Sequence, residues 1–169
     1  MIYELVIPQF VKTLKNLDSM LDKAAGYADS KKFETDVLLN SRLAPDMFPL
    51  TRQIQIVCDT AKLGASRLTG IAAPVNDDSE KTLSDVKARI ASTISYLQTM
   101  KPEDFKNAET CTVTTPRWEG KTLTGEQYAV HHVIPNFYFH VTTSYSILRH
   151  NGVDVGKKDF LGEMPYKLP

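Results

Sequence analysis

The sequence predicts an all-α fold, a four-helix bundle with a small β-hairpin before the last helix. Three observations carry this prediction. Four long stretches repeat apolar residues at three- and four-residue steps, no parallel-strand pattern occurs, and alternation is confined to a short region between Thr112 and Leu123. At 169 residues with 42% hydrophobic content, the chain is long enough for one domain with a substantial core, and residues 1–169 are read as that single domain.

The first helix spans about 3–27, where Val6, Phe10, Leu14, Leu17, Leu21 and Ala24 form one face and Lys12, Lys15, Asn16 and Asp18 the other. Pro8 belongs near its first turn, where a missing N–H costs least. The segment from Ser30 to Pro49 ends in loop chemistry with two prolines and an aspartate, Asp46, suited to cap the next helix.

The second helix spans about 49–68, with Leu50, Ile54, Val57, Cys58, Ala61, Ala65 and Leu68 buried and Gln55, Asp59, Lys62 and Ser66 flanking them. After a break rich in Gly, Pro, Asn and Asp, either Asp77 with Glu80 or Thr82 with Asp85 caps a third helix over about 80–99. Thr112-Val113-Thr114 and Lys121-Thr122-Leu123 flank Pro116-Arg117-Trp118-Glu119-Gly120 and read as a hairpin. Thr124 with Gln127 then opens the fourth helix, about 125–151, which stops at Asn151-Gly152 and leaves a C-terminal tail over 153–169. The connections before the second helix and before the fourth are about twenty residues long, which suits crossovers or loops laid over one end of the bundle.

Charge is balanced at 20 basic against 20 acidic residues, and no basic cluster is denser than Lys157-Lys158. Neither nucleic acid nor an anionic membrane is an expected partner. The amino terminus lacks a basic segment ahead of an apolar run, and no window approaches the roughly 18 apolar residues of a membrane span, so the expected location is cytoplasmic. Cys58 and Cys111 are too few and too far apart for a disulfide framework or a thiolate metal site.

All four histidines, His131, His132, His140 and His150, fall on the fourth helix. His132, Asn136 and His140 stack at i, i+4 and i+8, placing three side chains with ligand or proton-transfer chemistry on one stripe. His131 and His132 lie about 100° apart around the axis, so one of them faces outward. His132 and His140 are about 12 Å apart along a straight helix, too far to share one ion. Pro135 bends the helix and frees the carbonyl near His131. Trp118 is unusual for an exposed loop tip and is suited to cover the mouth of the bundle or to pin the hairpin to the helices.

The run Leu39-Asn40-Ser41-Arg42-Leu43-Ala44-Pro45-Asp46-Met47-Phe48-Pro49-Leu50-Thr51-Arg52-Gln53, with Pro135-Asn136-Phe137-Tyr138-Phe139-His140, Leu148-Arg149-His150-Asn151-Gly152, Gly156-Lys157 and Asp159-Phe160-Leu161-Gly162, resembles an uncharacterised branch of the DinB/YfiT-like superfamily over nearly the whole length. This branch is described only as a domain of unknown function. The resemblance implies a four-helix bundle, a homodimer and a divalent metal such as zinc or nickel on three histidines, one from the second helix and two, at i and i+4, from the last. It also implies transferase, isomerase or hydrolase chemistry with low-molecular-weight thiols.

The positions equivalent to the last-helix pair are Asn136 and His140, and the second helix has no histidine, only Gln55 and Asp59 near the implied position. One imidazole with neutral amides is a weak donor set for zinc or nickel. His140 is thus the candidate acid/base and the one strong candidate ligand, with Asn136, Gln55, Asp46, Arg52 and Tyr145 as candidates for holding a small-molecule substrate. The alternative expectation is a dimeric ligand-binding or stress-related protein with a degenerate metal site and no chemistry.

Overall fold

A computed structural model describes residues 1–167. Helix α1 (Ile2–Lys31) is followed by the short α2 (Asp36–Leu39), then α3 (Leu50–Thr69) and α4 (Leu83–Gln98). A two-stranded antiparallel hairpin, β1 (Thr112–Val113) with β2 (Leu123–Thr124), pairs Thr112 with Thr124 and Val113 with Leu123. The last long helix is built in three consecutive pieces: α5 (Gly125–Tyr128), a wide π-helical turn (Ala129–Val133) and α6 (Ile134–His150). A final short helix, α7 (Lys157–Leu161), lies in the expected tail and is tied to α1 by Asn16 donating to the Phe160 carbonyl at 3.0 Å and by Lys23 with Asp159 at 2.7 Å.

Side-chain pairs give the helix directions. Gln53 meets His140, Thr60 meets Asn136 and Arg67 meets Tyr128, so α3 and the last helix run antiparallel. Lys87 reaches Asp18 and Asp22 while Tyr3 packs edge-on to Phe105 beyond α4, so α1 and α4 are antiparallel as well. Arg89 bonds Asp59 and Tyr96 bonds the Ile71 carbonyl, which makes α3 and α4 parallel. The bundle is therefore up-down-down-up. Its core is the common apolar face of the four long helices, with Phe10 of α1 stacked on Phe137 of α6 at 3.9 Å.

Parallel α3 and α4 require the intervening chain to return along the bundle. Residues 70–82 do so without regular structure; thirteen residues reach at most about 45 Å, enough to span the roughly 30 Å of α3. Both expected capping boxes that open a helix after a break are present, Thr82 with Asp85 and Thr124 with Gln127. Of the two caps open for the third helix, the one at Thr82 is used, and the helix starts at Leu83.

Two local expectations need correction. Pro8 lies in the second turn of α1, because the helix already begins at Ile2; the buried face Ile2, Val6 and Phe10 holds the helix through the missing N–H. Asp46 does not cap α3: its N-cap residue is Pro49, without a side-chain cap, and Arg42 turns to the Pro45 carbonyl. The π-helical turn stands where Pro135 was expected to disturb the helix. Proline has no N–H to offer the His131 carbonyl four residues back, and a wider turn takes up the defect. No helix among the described residues is long and apolar enough to cross a membrane.

Candidate functional site

Helix α3 contributes Arg52, Ile56, Thr60, Leu63 and Arg67 at steps of three and four, and the last helix contributes His140, Asn136, His132 and Tyr128 at steps of four. These two antiparallel ladders wall a cleft of about 550 Å³. The turn Thr115–Trp118 between the hairpin strands closes one side. A wider hollow of about 840 Å³ lies across the molecule between α1 and residues 163–165, but its lining holds none of the candidate residues and no imidazole.

His140 is buried, and its Nδ1 lies 2.7 Å from Oε1 of Gln53. The Gln53 amide nitrogen donates to the Phe48 carbonyl at 3.1 Å, which fixes the amide so that its oxygen faces the ring. An amide oxygen only accepts, so Nδ1 carries the proton and Nε2 keeps its lone pair. That nitrogen has no protein partner among the described residues, on a ring that lines the cleft. Burial, and then the charge of Arg52, hold the His140 pKa below that of an ordinary histidine.

At the other end of the cleft three rings meet. Tyr128 stacks on His132 at 5.4 Å, and Trp118 packs edge-on to both at 5.9 and 5.7 Å. Arg67 donates to the Tyr128 hydroxyl at 2.8 Å. His132 is the inward member of the His131-His132 pair, while His131 is exposed. Burial, and then Arg67, lower the His132 pKa. Trp118 thus does both things expected of it, walling the cleft and docking the hairpin on the last helix.

Of the other candidates, Asn136 and Arg52 line the cleft with His140. The Asn136 amide donates to Thr60 at 2.8 Å. Gln55 turns away, accepting from Arg52 at 2.9 Å and donating to Glu80 at 2.7 Å. Asp46 is exposed on its loop, and Tyr145 packs edge-on to Phe160; neither lines the cleft. The residues do not fit a tightly held zinc or nickel. His140 offers a single ring nitrogen, Nε2, Asn136 offers only a neutral amide oxygen, and Gln55 and Asp59 bond into α4 and its approach, so the cleft presents one strong donor. Among the described residues no group of three or more His, Cys, Asp or Glu side chains is placed to hold an ion.

Two features escaped the sequence. Gln53, 2% exposed, is the partner of His140; its spacing of three from Leu50 and four from Val57 puts it on the buried stripe, which is the signal that could have found it. The second is Arg89 of α4, whose side chain is 2% exposed. It bonds Asp78 at 2.6 Å, Glu80 at 2.8 Å and Asp59 at 2.8 Å, fastening the returning segment 70–82 to the bundle. Burial works against the charge on Arg89, but bonds to Glu80 and Asp78 outweigh it and raise its pKa. Asp59, shared by Arg89 and the buried Lys62, also edges the cleft.

The family described as "Domain of unknown function (DUF1993)" matches residues 2–161. Among solved structures, the chain is similar to a crystal structure of a DinB family member protein from Shewanella denitrificans, with 58% sequence identity and a TM-score of 0.97. The likeness covers 100% of this chain and 96% of that one. No curated protein matches.

Proposed function

The chain belongs to the DUF1993 family, of DinB-like build, and on that premise we propose that it is a small-molecule enzyme of transferase or isomerase type in which His140 moves a proton within the cleft. The relay from the Phe48 carbonyl through Gln53 to His140 carries this reading. It fixes the tautomer, so that Nε2 meets a guest as a base, and a pKa held below the ordinary value keeps the ring neutral and ready at neutral pH. Asn136, with an amide oxygen free to accept, orients the guest beside it. A low-molecular-weight thiol, the co-substrate that the resemblance implies, would give its S–H proton to Nε2 and attack an electrophilic carbon of the second substrate as the thiolate; the leaving group departs with the electron pair of its broken bond to that carbon and takes the proton back from the imidazolium.

The test is turnover with low-molecular-weight thiols and a chromogenic electrophile. His140→Ala is expected to lose about 10²–10⁴-fold in rate, the usual worth of a positioned acid or base. An unchanged rate in that variant would overturn the proposal. The neutral amide of Asn136, where the superfamily resemblance implies an imidazole, favours a second reading: a dimeric small-ligand-binding protein without chemistry. Ligand-induced stabilisation that persists while every turnover assay is silent supports that second reading against the first.

A further inference from the structure

Three arginines, Arg52, Arg67 and Arg117, line the cleft against one carboxylate, Asp59. That carboxylate is already shared by two buried cations, Arg89 with a side chain 2% exposed and Lys62 with a side chain 4% exposed. Arg52 is paired with Asp78 at 2.7 Å. Arg67 and Arg117, by contrast, form no ion pair with a carboxylate among the described residues. Arg67 is half-buried, its guanidinium carbon 5.9 Å from the Tyr128 ring centre, and among the described residues its only side-chain bond is the one to the Tyr128 hydroxyl. The two cations without counter-ions therefore lie at the end of the cleft where Trp118, Tyr128 and His132 meet.

We propose that the cleft takes an elongated organic anion, its carboxylate or phosphate held by Arg67 and Arg117, its apolar body lying against Trp118 and along Ile56 and Leu63. A planar guanidinium fork fits either anion, and a low-dielectric wall of rings strengthens the attraction. Elongation follows from the ladders. Gln53, the partner of His140, and Arg67 are about 21 Å apart along α3, so a guest whose charge sits at Arg67 and whose reacting atom meets His140 must stretch along the groove. This assignment rests on the proposed function only for the position of the reacting end; the anion end stands on the arginines alone.

Trp118 is the only tryptophan, so its fluorescence reads this end of the cleft directly. Benzoate and phenyl phosphate are expected to change Trp118 emission saturably, with the stronger of the two identifying the preferred anionic group. Neutral benzamide is expected to bind at least tenfold more weakly. Arg67→Gln and the exposed Arg117→Ala should each weaken the anion by about tenfold. Arg117→Ala serves as the control for folding, since its side chain is at the surface. No emission change with either anion, or equal affinity for benzamide, or affinity unchanged in both arginine variants, would each overturn the anion assignment. Benzamide binding as tightly as benzoate would leave a small-molecule cleft in place and remove only its charge preference. Loss of turnover in His140→Ala is read separately and stands or falls on its own.

Discussion

His140 Nδ1 stands 2.7 Å from Gln53 Oε1, and the amide that provides this oxygen is itself anchored on the Phe48 carbonyl, so a side chain of α3 dictates which nitrogen of an α6 imidazole faces the cleft. Exchanging that neutral partner for a charged one tests the arrangement. Gln53→Glu is expected to raise the His140 pKa by about one unit or more, since a buried carboxylate favours the imidazolium. Titration of the ring signals by NMR measures it, and ¹⁵N shifts in the unmodified protein should report the Nδ1–H form. An Nε2–H form would remove the basis for His140 as the base.

Arg89 is the fastening of the returning segment. Arg89→Met leaves Asp78, Glu80 and Asp59 without their shared cation and is expected to cost about 3 kcal/mol in chemical denaturation. The single change Asp78→Asn should cost about 1 kcal/mol or less, because that carboxylate is 40% exposed and Arg89 keeps its other partners.

Stability should fall with acid in two steps. His140 and His132 have folded pKa values below the unfolded value, so the unfolded chain binds more protons. Their contribution is complete above about pH 6.5 and declines as pH falls toward the folded values. The Asp78 and Glu80 pKa values are also lowered: burial alone would raise them, but bonds from Arg52 and Arg89 to Asp78 and from Arg89 to Glu80 prevail. Their contribution is present above about pH 4 and is lost as pH falls through the folded values. Melting temperatures between pH 8 and pH 3 check both steps. The double variant His132→Gln, His140→Gln should flatten the upper one only.

Gly64 lets α3 approach the π-helical turn. A Cβ built there would lie 2.6 Å from a Val133 methyl carbon in a buried contact, so Gly64→Ala is expected to destabilise by about 1–3 kcal/mol. Adding Val133→Ala should recover part of that loss, and the non-additivity in a double-mutant cycle is the measurement.

How much of this was legible depended on how local each determinant is. The Thr124–Gln127 box closes within three residues and the sequence displays it whole, whereas Thr82–Asp85, just as local, stands beside Asp77 with Glu80 as one of two alternatives until the helix start is known. The inward stripe His132, Asn136 and His140 was readable for the same reason, as helical spacing alone sets it. Gln55 was expected beside His140 and Gln53 found there, because a glutamine on an otherwise apolar stripe has no evident partner until the facing helix is known. Arg89 draws its three carboxylates from α3 and from a segment without periodicity, at separations from 9 to 30 residues. Nothing in a linear pattern marks a polar centre assembled that way. The arginines of the cleft are likewise spread over α3 and the hairpin turn, and only the antiparallel packing of the last helix brings them together with the imidazoles.

The widened turn at Ala129–Val133 accommodates one surplus residue without changing the phase of what precedes or follows it. Removing a residue inside that stretch would narrow the coil, leaving one carbonyl that Pro135 cannot bond, with Tyr128 and His140 still looking the same way. The same deletion a few positions later, within Ile134–His150, would swing every subsequent side chain through about 100° and bring Val141 and Ile147 out of the interior. Length is therefore negotiable at one place along this rod and forbidden beyond it.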